Sequence, residues 1–194
     1  DAGQTWVSQT GENAQVFAAV SFCDDSNGTI GGPNGLIIHS QNAGGLWQTA
    51  QVGWIIWYNA AQQLSPQWGI VAGVNTIFQP LVTITTNGWQ SFNSHVFYPF
   101  HNGSNQEGTI YGIDFVTADI GFAAVEIFDG QGAICRTTNS GVTWETVHWN
   151  TSAFYAIDFP VSNASQIGYA VGANGIFVHT ADGGQTWEAL PTPT

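Results

Sequence analysis

Along the chain, apolar residues come in short runs, continuous or alternating with polar ones, and clusters of Gly, Asn, Asp and Ser separate the runs. The C-terminal stretch shows this most clearly: Phe154-Tyr-Ala-Ile-Asp-Phe159, Ile167-Gly-Tyr-Ala-Val-Gly172, Gly175-Ile-Phe-Val-His-Thr180 and Thr186-Trp-Glu-Ala-Leu190. Such runs, bounded by turn residues, predict β-strands, and no segment carries the spacing that predicts a helix. The same succession recurs upstream as Ile110-Tyr-Gly-Ile-Asp-Phe115, Ile120-Gly-Phe-Ala-Ala-Val125 and Ala133-Ile-Cys-Arg-Thr137. It recurs again as Val16-Phe-Ala-Ala-Val-Ser-Phe22 and Gly35-Leu-Ile-Ile-His-Ser40. A more diverged copy holds Trp54-Ile-Ile-Trp-Tyr58 and Trp68-Gly-Ile-Val-Ala-Gly73.

A turn pattern fixes the period. Thr180-Ala-Asp-Gly-Gly-Gln-Thr-Trp187 repeats as Thr137-Thr-Asn-Ser-Gly-Val-Thr-Trp144, as Ser40-Gln-Asn-Ala-Gly-Gly-Leu-Trp47 and, more weakly, as Thr85-Thr-Asn-Gly-Trp-Gln-Ser-Phe92. Asp1-Ala-Gly-Gln-Thr-Trp6 is the end of a fifth copy. The closing aromatics stand 41, 45, 52 and 43 residues apart, which is the span of a four-stranded propeller blade. The expected architecture is therefore an all-β propeller of four-stranded antiparallel blades in one domain, with units at about 10–50, 51–94, 95–147 and 148–190. Residues 1–9 form the last strand of a preceding unit.

These residues resemble propellers built from Asp-box repeats, also called bacterial neuraminidase repeats, and are most similar to those of photosystem II stability and assembly factors. Ile157-Asp-Phe159, Gly168-Tyr-Ala-Val-Gly172, Gly175-Ile-Phe177 and Asp182-Gly-Gly-Gln-Thr-Trp187 look like one consensus unit, and the resemblance covers essentially the whole chain. It implies a fold more than a function, since such propellers include enzymes, lectins, assembly factors and scaffolds. The box residues are Asp1 and Trp6; Ser40, Asn42 and Trp47; Thr85, Asn87 and Phe92; Thr137, Asn139 and Trp144; and Thr180, Asp182 and Trp187. Their expected role is structural: the hydroxyls and the Asn or Asp side chains satisfy backbone groups in a turn between third and fourth strands, while the aromatic packs between sheets.

Charge narrows the function. Thirteen acidic residues face a single basic one, Arg136, for a net charge of −12. Phosphate neutralisation needs Lys and Arg, so nucleic acid is excluded as a partner, and an anionic membrane surface with it. No apolar run is long enough to span a membrane, nothing at Asp1 resembles the charged start and apolar core of a signal peptide, and the chain is expected to be soluble and already processed. Nine Trp, twelve Phe and five Tyr carry too much aromatic surface for a disordered acidic chain. With no lysine to solubilise the surface, polar side chains, repulsion or attached sugar must do so. Four Asn-X-Ser/Thr sequons, at Asn27, Asn102, Asn150 and Asn163, are glycosylation candidates.

Candidate chemistry is sparse. Sialidases of this repeat group grip a carboxylate with several arginines, whereas Arg136 stands alone on a strand. The resembling assembly factors use basic surface that this chain lacks. Five His show no helical metal spacing and no Cys-x-x-Cys exists, so neither metal nor cofactor is expected. Asp24-Asp25 reads as a solvated turn. Cys23 and Cys135 fall two units apart and are expected as separate thiols. No Gly-x-Ser-x-Gly motif is present. Asp114 and Asp158 are repeat equivalents, so a carboxylate pair for glycoside chemistry is the weaker reading beside a structural one. The strongest hint is aromatic: Trp54, Trp57, Tyr58, Trp68 and Trp89 crowd the diverged unit, and His95-Val-Phe-Tyr-Pro-Phe-His101 lies in the longest connection, where recognition usually resides.

The resulting expectation is a non-catalytic, secreted or extracellular scaffold that meets a protein partner or other copies of itself, and carries glycans. A lectin-like propeller is the first alternative; a glycosidase-class enzyme or a photosystem assembly factor comes next. Thr5, Trp6, Val7, Ser8 and Gln9 are expected to form an assembly strand, since the final unit already owns its fourth strand and an unpaired edge invites addition.

Overall fold

The computed structural model describes residues 4, 5, 15–52, 56–160 and 166–191. Four separate antiparallel sheets follow one another, each of four strands in sequence order. The first holds β1 (Ala19–Phe22), β2 (Gly28–Gly31), β3 (Leu36–Ser40) and β4 (Gln48–Gln51). The second holds β5 (Ile56–Gln63), β6 (Gly69–Asn75), β7 (Pro80–Thr85) and β8 (Asn93–Val96). A two-stranded hairpin, β9 (Phe100–His101) and β10 (Ser104–Asn105), precedes the third sheet of β11 (Gly108–Phe115), β12 (Gly121–Ile127), β13 (Gly132–Thr137) and β14 (Glu145–Asn150). The fourth is β15 (Phe154–Asp158), β16 (Gly168–Gly172), β17 (Phe177–Thr180) and β18 (Glu188–Ala189). These are the blades of a β-propeller arc.

The blades are copies at the level of register. Gly28, Gly69, Gly121 and Gly168 pair with Ser40, Thr85, Thr137 and Thr180 respectively. Three first strands share a bulge, after Tyr58, Ile110 and Phe154. Side chains alternate along each strand, so a blade presents one face to the blade before it and the other to the blade after. The core lies in those gaps: Ile37 meets Tyr58 and Val71; Ile70, Ala72 and Val82 meet Ala123, Val125 and Cys135; and Phe122, Ala124 and Ile134 meet Ala170 and Val178.

Three details differ from the expectation. A single 3-10 turn, Ala173–Gly175, joins β16 to β17, because Asn174 and Gly175 take left-handed backbone angles there. The first strand starts at Ala19 rather than Val16. The fourth strands run to Gln51, Val96 and Asn150, a few residues beyond the expected unit ends. Cys23 and Cys135 are free thiols; Cys135 is buried, and burial raises its pKa to about 12. Of the expected assembly strand only Thr5 is described, exposed and outside any strand; Trp6, Val7, Ser8 and Gln9 lie outside the described residues, as do Asp1 and Trp54. No helix among the described residues is long and apolar enough to cross a membrane.

Candidate functional site: an aromatic rim opposite the repeated turns

The four turns between third and fourth strands share one hydrogen-bond network. The buried hydroxyls of Ser40, Thr85, Thr137 and Thr180 each accept from two backbone N–H groups. Those of Asn42, Asn87, Asn139 and Asp182 donate at 3.3 Å, and those of Gly44, Trp89, Gly141 and Gly184 at 2.9 to 3.0 Å. The hydroxyls of Ser40, Thr137 and Thr180 donate to the Asn or Asp Oδ1 two residues on, at 2.8 to 3.0 Å; Thr85 has Asn87 Oδ1 at 3.1 Å and, closer, the Ser91 carbonyl at 2.8 Å to donate to, and the Asn or Asp Oδ1 stands at the same place in all four turns. That oxygen also accepts from the N–H of Leu46, Ser91, Thr143 or Thr186. In the last turn the Thr186 hydroxyl donates to Asp182 at 2.6 Å, and this bond, joined by the backbone donors, holds the Asp182 carboxyl well below the usual carboxylate range. The closing rings lie against the sheets: Trp187 meets Phe122 and Phe159, Trp144 meets Phe97 and Phe115, Phe92 packs beside the first gap, and Trp47 sits edge-on to Phe22. Every polar contact named in this network is internal to its turn.

A second series ties blade to blade. Ser21 Oγ accepts from the Gln63 N–H at 2.9 Å, Gln62 Oε1 from the Phe115 N–H at 2.5 Å, and Asp114 Oδ2 from the Phe159 N–H at 2.6 Å. Asp114 also receives the Gln62 amide at 2.7 Å. Its two oxygens are thus spent on fastening neighbours, although burial raises its pKa. Asp158 stands at the same position in the last blade and is exposed. Asp24 closes its own turn by accepting from the Ser26 and Asn27 N–H groups, both at 2.7 Å. Among the described residues no cluster of His, Cys, Asp or Glu is placed to hold a metal ion.

Part of the apolar surface left to solvent lies at the opposite end of the middle blades. Phe78, at the tip of the β6–β7 hairpin, stands edge to face with Phe128, just past β12, at 5.3 Å between ring centroids. Phe128 is 72% exposed, and Ile77 and Phe78 on the hairpin tip, Val96 at the end of β8, and Tyr98 and Phe100 on the connection are exposed too. The long connection is fastened to both blades: the Gly108 N–H donates to the Phe78 carbonyl at 2.7 Å, the Phe128 N–H to Glu107 at 3.3 Å and the Phe100 N–H to Thr146 Oγ1 at 2.8 Å. The Gln79 amide donates to the Tyr98 hydroxyl. His101 stacks flat on Trp149 at 4.0 Å, and Phe97, the buried anchor of the connection, stacks on Trp144 at 5.1 Å. A groove of about 530 Å³, lined in part by Ile56, Ile77, Leu81 and Val96, adjoins this rim.

The aromatics singled out in the sequence divide accordingly. Tyr58, Trp68 and Trp89 are core; Trp57 is exposed. Trp89 takes the left-handed position that Gly occupies in the Gly141 and Gly184 turns, and its Nε1 donates to Thr29 Oγ1 at 2.7 Å. Phe78 and Phe128 were not foreseen as site residues. Their signal was an aromatic beside hairpin-tip residues, in Asn75-Thr-Ile-Phe78 and Phe128-Asp-Gly130. Of the sequons, Asn102 sits exposed in the Asn102-Gly103 turn of the β9–β10 hairpin. Asn27 is half-buried, with its amide donating to Asp24 at 3.0 Å. Asn150 is half-buried at the end of β14. Asn163 lies outside the described residues.

A family profile described as photosynthesis system II assembly factor YCF48 matches residues 101–193. No curated protein matches the sequence. Among solved structures, YCF48 bound to D1 peptide aligns with a TM-score of 0.65 at 19% identity, covering 94% of this chain and 55% of that one. YCF48 from Cyanidioschyzon merolae gives 0.65 at 14% identity, covering 95% and 59%. The Niastella koreensis GH74 enzyme gives 0.65 at 15% identity, covering 91% of this chain but 30% of that chain. The chain therefore spans little more than half the length of the YCF48 structures. At these identities the likeness establishes the fold: four β-propeller blades, related in architecture to those of a photosystem assembly factor.

Proposed function

We propose that this chain is a non-catalytic, protein-binding propeller scaffold, working outside the cytoplasm, that receives an extended apolar segment of a partner on the Phe78–Phe100–Phe128 rim. The observation that carries this reading is the exposure of three phenylalanines from two blades and their connection, on a framework fastened by backbone hydrogen bonds. Phenylalanine rings offer apolar area and no hydrogen bond, which suits side chains of a peptide better than the hydroxyls of a sugar. The peptide bound by the YCF48 structure supports the same kind of ligand. With net charge −12, the partner segment should be apolar at its centre and basic at its flanks. A glycan on Asn102 fits its exposed hairpin tip and an extracellular setting.

Peptides selected from a random displayed library against the wild-type protein provide the test. Those enriched should lose at least tenfold in affinity for the Phe78→Ser/Phe128→Ser variant, and binding unchanged in that variant would refute the site. Retained binding to a glycan array by the same variant, with no peptide selected, would favour the lectin alternative instead.

A further inference from the structure

The first strands of the blades pack one on the next, β5 on β11 and β11 on β15, and each is hydrogen-bonded within its sheet on one side only. Three of these strands carry one residue that the ladder leaves out. Tyr58 pairs with Gly73 and Ala60 with Ala72, so Asn59 has no cross-strand partner. The same step skips Tyr111 between Ile110 and Gly112, and Tyr155 between Phe154 and Ala156. A bulge of this kind re-aims its extra side chain away from the regular pleat.

The three skipped residues differ in what they do. Asn59 spends its amide on the next blade, donating to the Ile110 carbonyl at 3.0 Å. Tyr111 instead sets its ring against that of Tyr155, at 5.4 Å between centroids and 76° between planes. Gly112 permits this approach: a Cβ there would stand 3.0 Å from both the Ala156 Cα and the Tyr155 carbonyl oxygen. Neither ring is fully covered by the pairing, Tyr111 being 39% and Tyr155 43% exposed. Glu126, half-buried on β12 and paired with Thr109 just before the bulge, brings a carboxylate beside Tyr111. Burial first, and then that carboxylate, push the Tyr111 phenol above its ordinary value. Tyr111 and Glu126 belong to the third blade, which has a blade packed on either side, so their exposure is not that of an end face.

Two aromatic rings and a carboxylate make an environment for a cation. Lysine is absent from the chain, and the single arginine, Arg136, is paired with Glu145 at 3.4 Å. At neutral pH the cation must therefore come from outside. Glu126 precedes Phe128 of the rim by two residues, roughly 7 Å along an extended backbone, and two residues of an extended ligand cover the same distance. We propose that Tyr111, Tyr155 and Glu126 form a receptor for one arginine or lysine side chain of the partner segment, two residues from the apolar side chain that sits on Phe128. The cation lies over a tyrosine face and Glu126 neutralises it. Guanidinium suits the site better than ammonium, because its flat, weakly hydrated plane stacks on a ring while its N–H groups reach a carboxylate. This rests on the rim being the docking face, and it turns a general preference for basic flanks into one position.

NMR of the tyrosine ring signals during titration with N-acetyl-arginine methylamide tests the site without any peptide. The expected result is a saturable shift of Tyr111 and Tyr155, in the millimolar range for a single side chain, with Tyr98, 37% exposed, unmoved. The neutral isostere N-acetyl-citrulline methylamide should shift neither, and Glu126→Gln should weaken the arginine response by about fivefold. Equal shifts with citrulline, or no saturation with arginine, would overturn the site. Phe78→Ser/Phe128→Ser should keep the arginine response, so a failed rim and a failed cation site give different results. Peptides selected on the rim should bind Glu126→Gln more weakly, and once their arginine is replaced by citrulline the same substitution should cost nothing further. Rim peptides indifferent to Glu126→Gln would overturn the assignment of the site to that partner.

Discussion

Thr137 carries three hydrogen bonds on one buried oxygen, so replacing it with valine keeps the shape and strands two backbone donors. The expected cost is about 1–3 kcal/mol, a fall of several degrees in Tm for a chain of this size, read by differential scanning calorimetry. The equivalent Asp182 makes a finer prediction. Its carboxyl is held below its ordinary pKa by donors that exist only in the folded turn. A lowered folded-state pKa means that the unfolded chain binds the proton more readily, so this stability is present above the unfolded aspartate value of about 3.9 and is lost as pH falls towards the folded one. Asp182→Asn, the residue already present at Asn42, Asn87 and Asn139, keeps the acceptor and offers an N–H to Thr186, as Asn139 does to Thr143 at 2.8 Å. Melting curves from pH 5 to about pH 2 should therefore fall less steeply for that variant than for wild type; equal slopes would show that the turn carboxylate is not a source of acid sensitivity.

At the level of elements, a Gly opens the second strand of every blade because the last side chain of the first strand lies over it, an aromatic ring in three blades and Gln63 in the second. A Cβ at Gly121 would stand 2.6 Å from Phe115, one at Gly168 2.5 Å from Phe159, and one at Gly28 2.5 Å from Phe22. Contacts under 3 Å demand movement, and what can move differs. Phe115 is locked between blades against Trp68 and Trp144, whereas Phe22 is 44% exposed, with Trp47 edge-on to it. Gly121→Ala should therefore cost about 1–3 kcal/mol, and Gly28→Ala less than half of that, in urea unfolding monitored by tryptophan emission. Equal costs would mean that the Phe22 ring is as confined as Phe115. These elements also mark how far the sequence was legible. The eight-residue turns and their period were visible, because turn chemistry needs fixed residue types at fixed offsets. The ties from Ser21, Gln62 and Asp114 were hidden, because three side chains share only an acceptor oxygen. Trp89 misled because it fills a left-handed turn position that ordinarily belongs to Gly. The connection holding Tyr98 and Phe100 stood out by its length, but its pairing with Phe78 and Phe128 depends on which hairpin tips the fold brings together.

The whole molecule is governed by an imbalance that no single contact relieves. Against thirteen acidic residues the sole cation, Arg136, reaches Glu145 at 3.4 Å and lies 6.0 Å from the Phe122 ring centroid, so most carboxylates meet only one another's field. Self-repulsion of this kind opposes the compact state and is screened by salt. Raising sodium chloride from about 0.01 M to about 0.15 M shortens the Debye length from about 30 Å to about 8 Å. Tm should therefore rise over that interval and level off above it. Binding of a segment with basic flanks to the rim should weaken, since salt screens the attraction that steers it. Two measurements on one protein thus respond with opposite signs: Tm climbs, and peptide affinity falls. A Tm that decreases on adding salt would mean that local pairs such as Arg136–Glu145 outweigh the net charge. A peptide affinity that rises with salt would move the rim's recognition from charge-assisted to purely apolar contact.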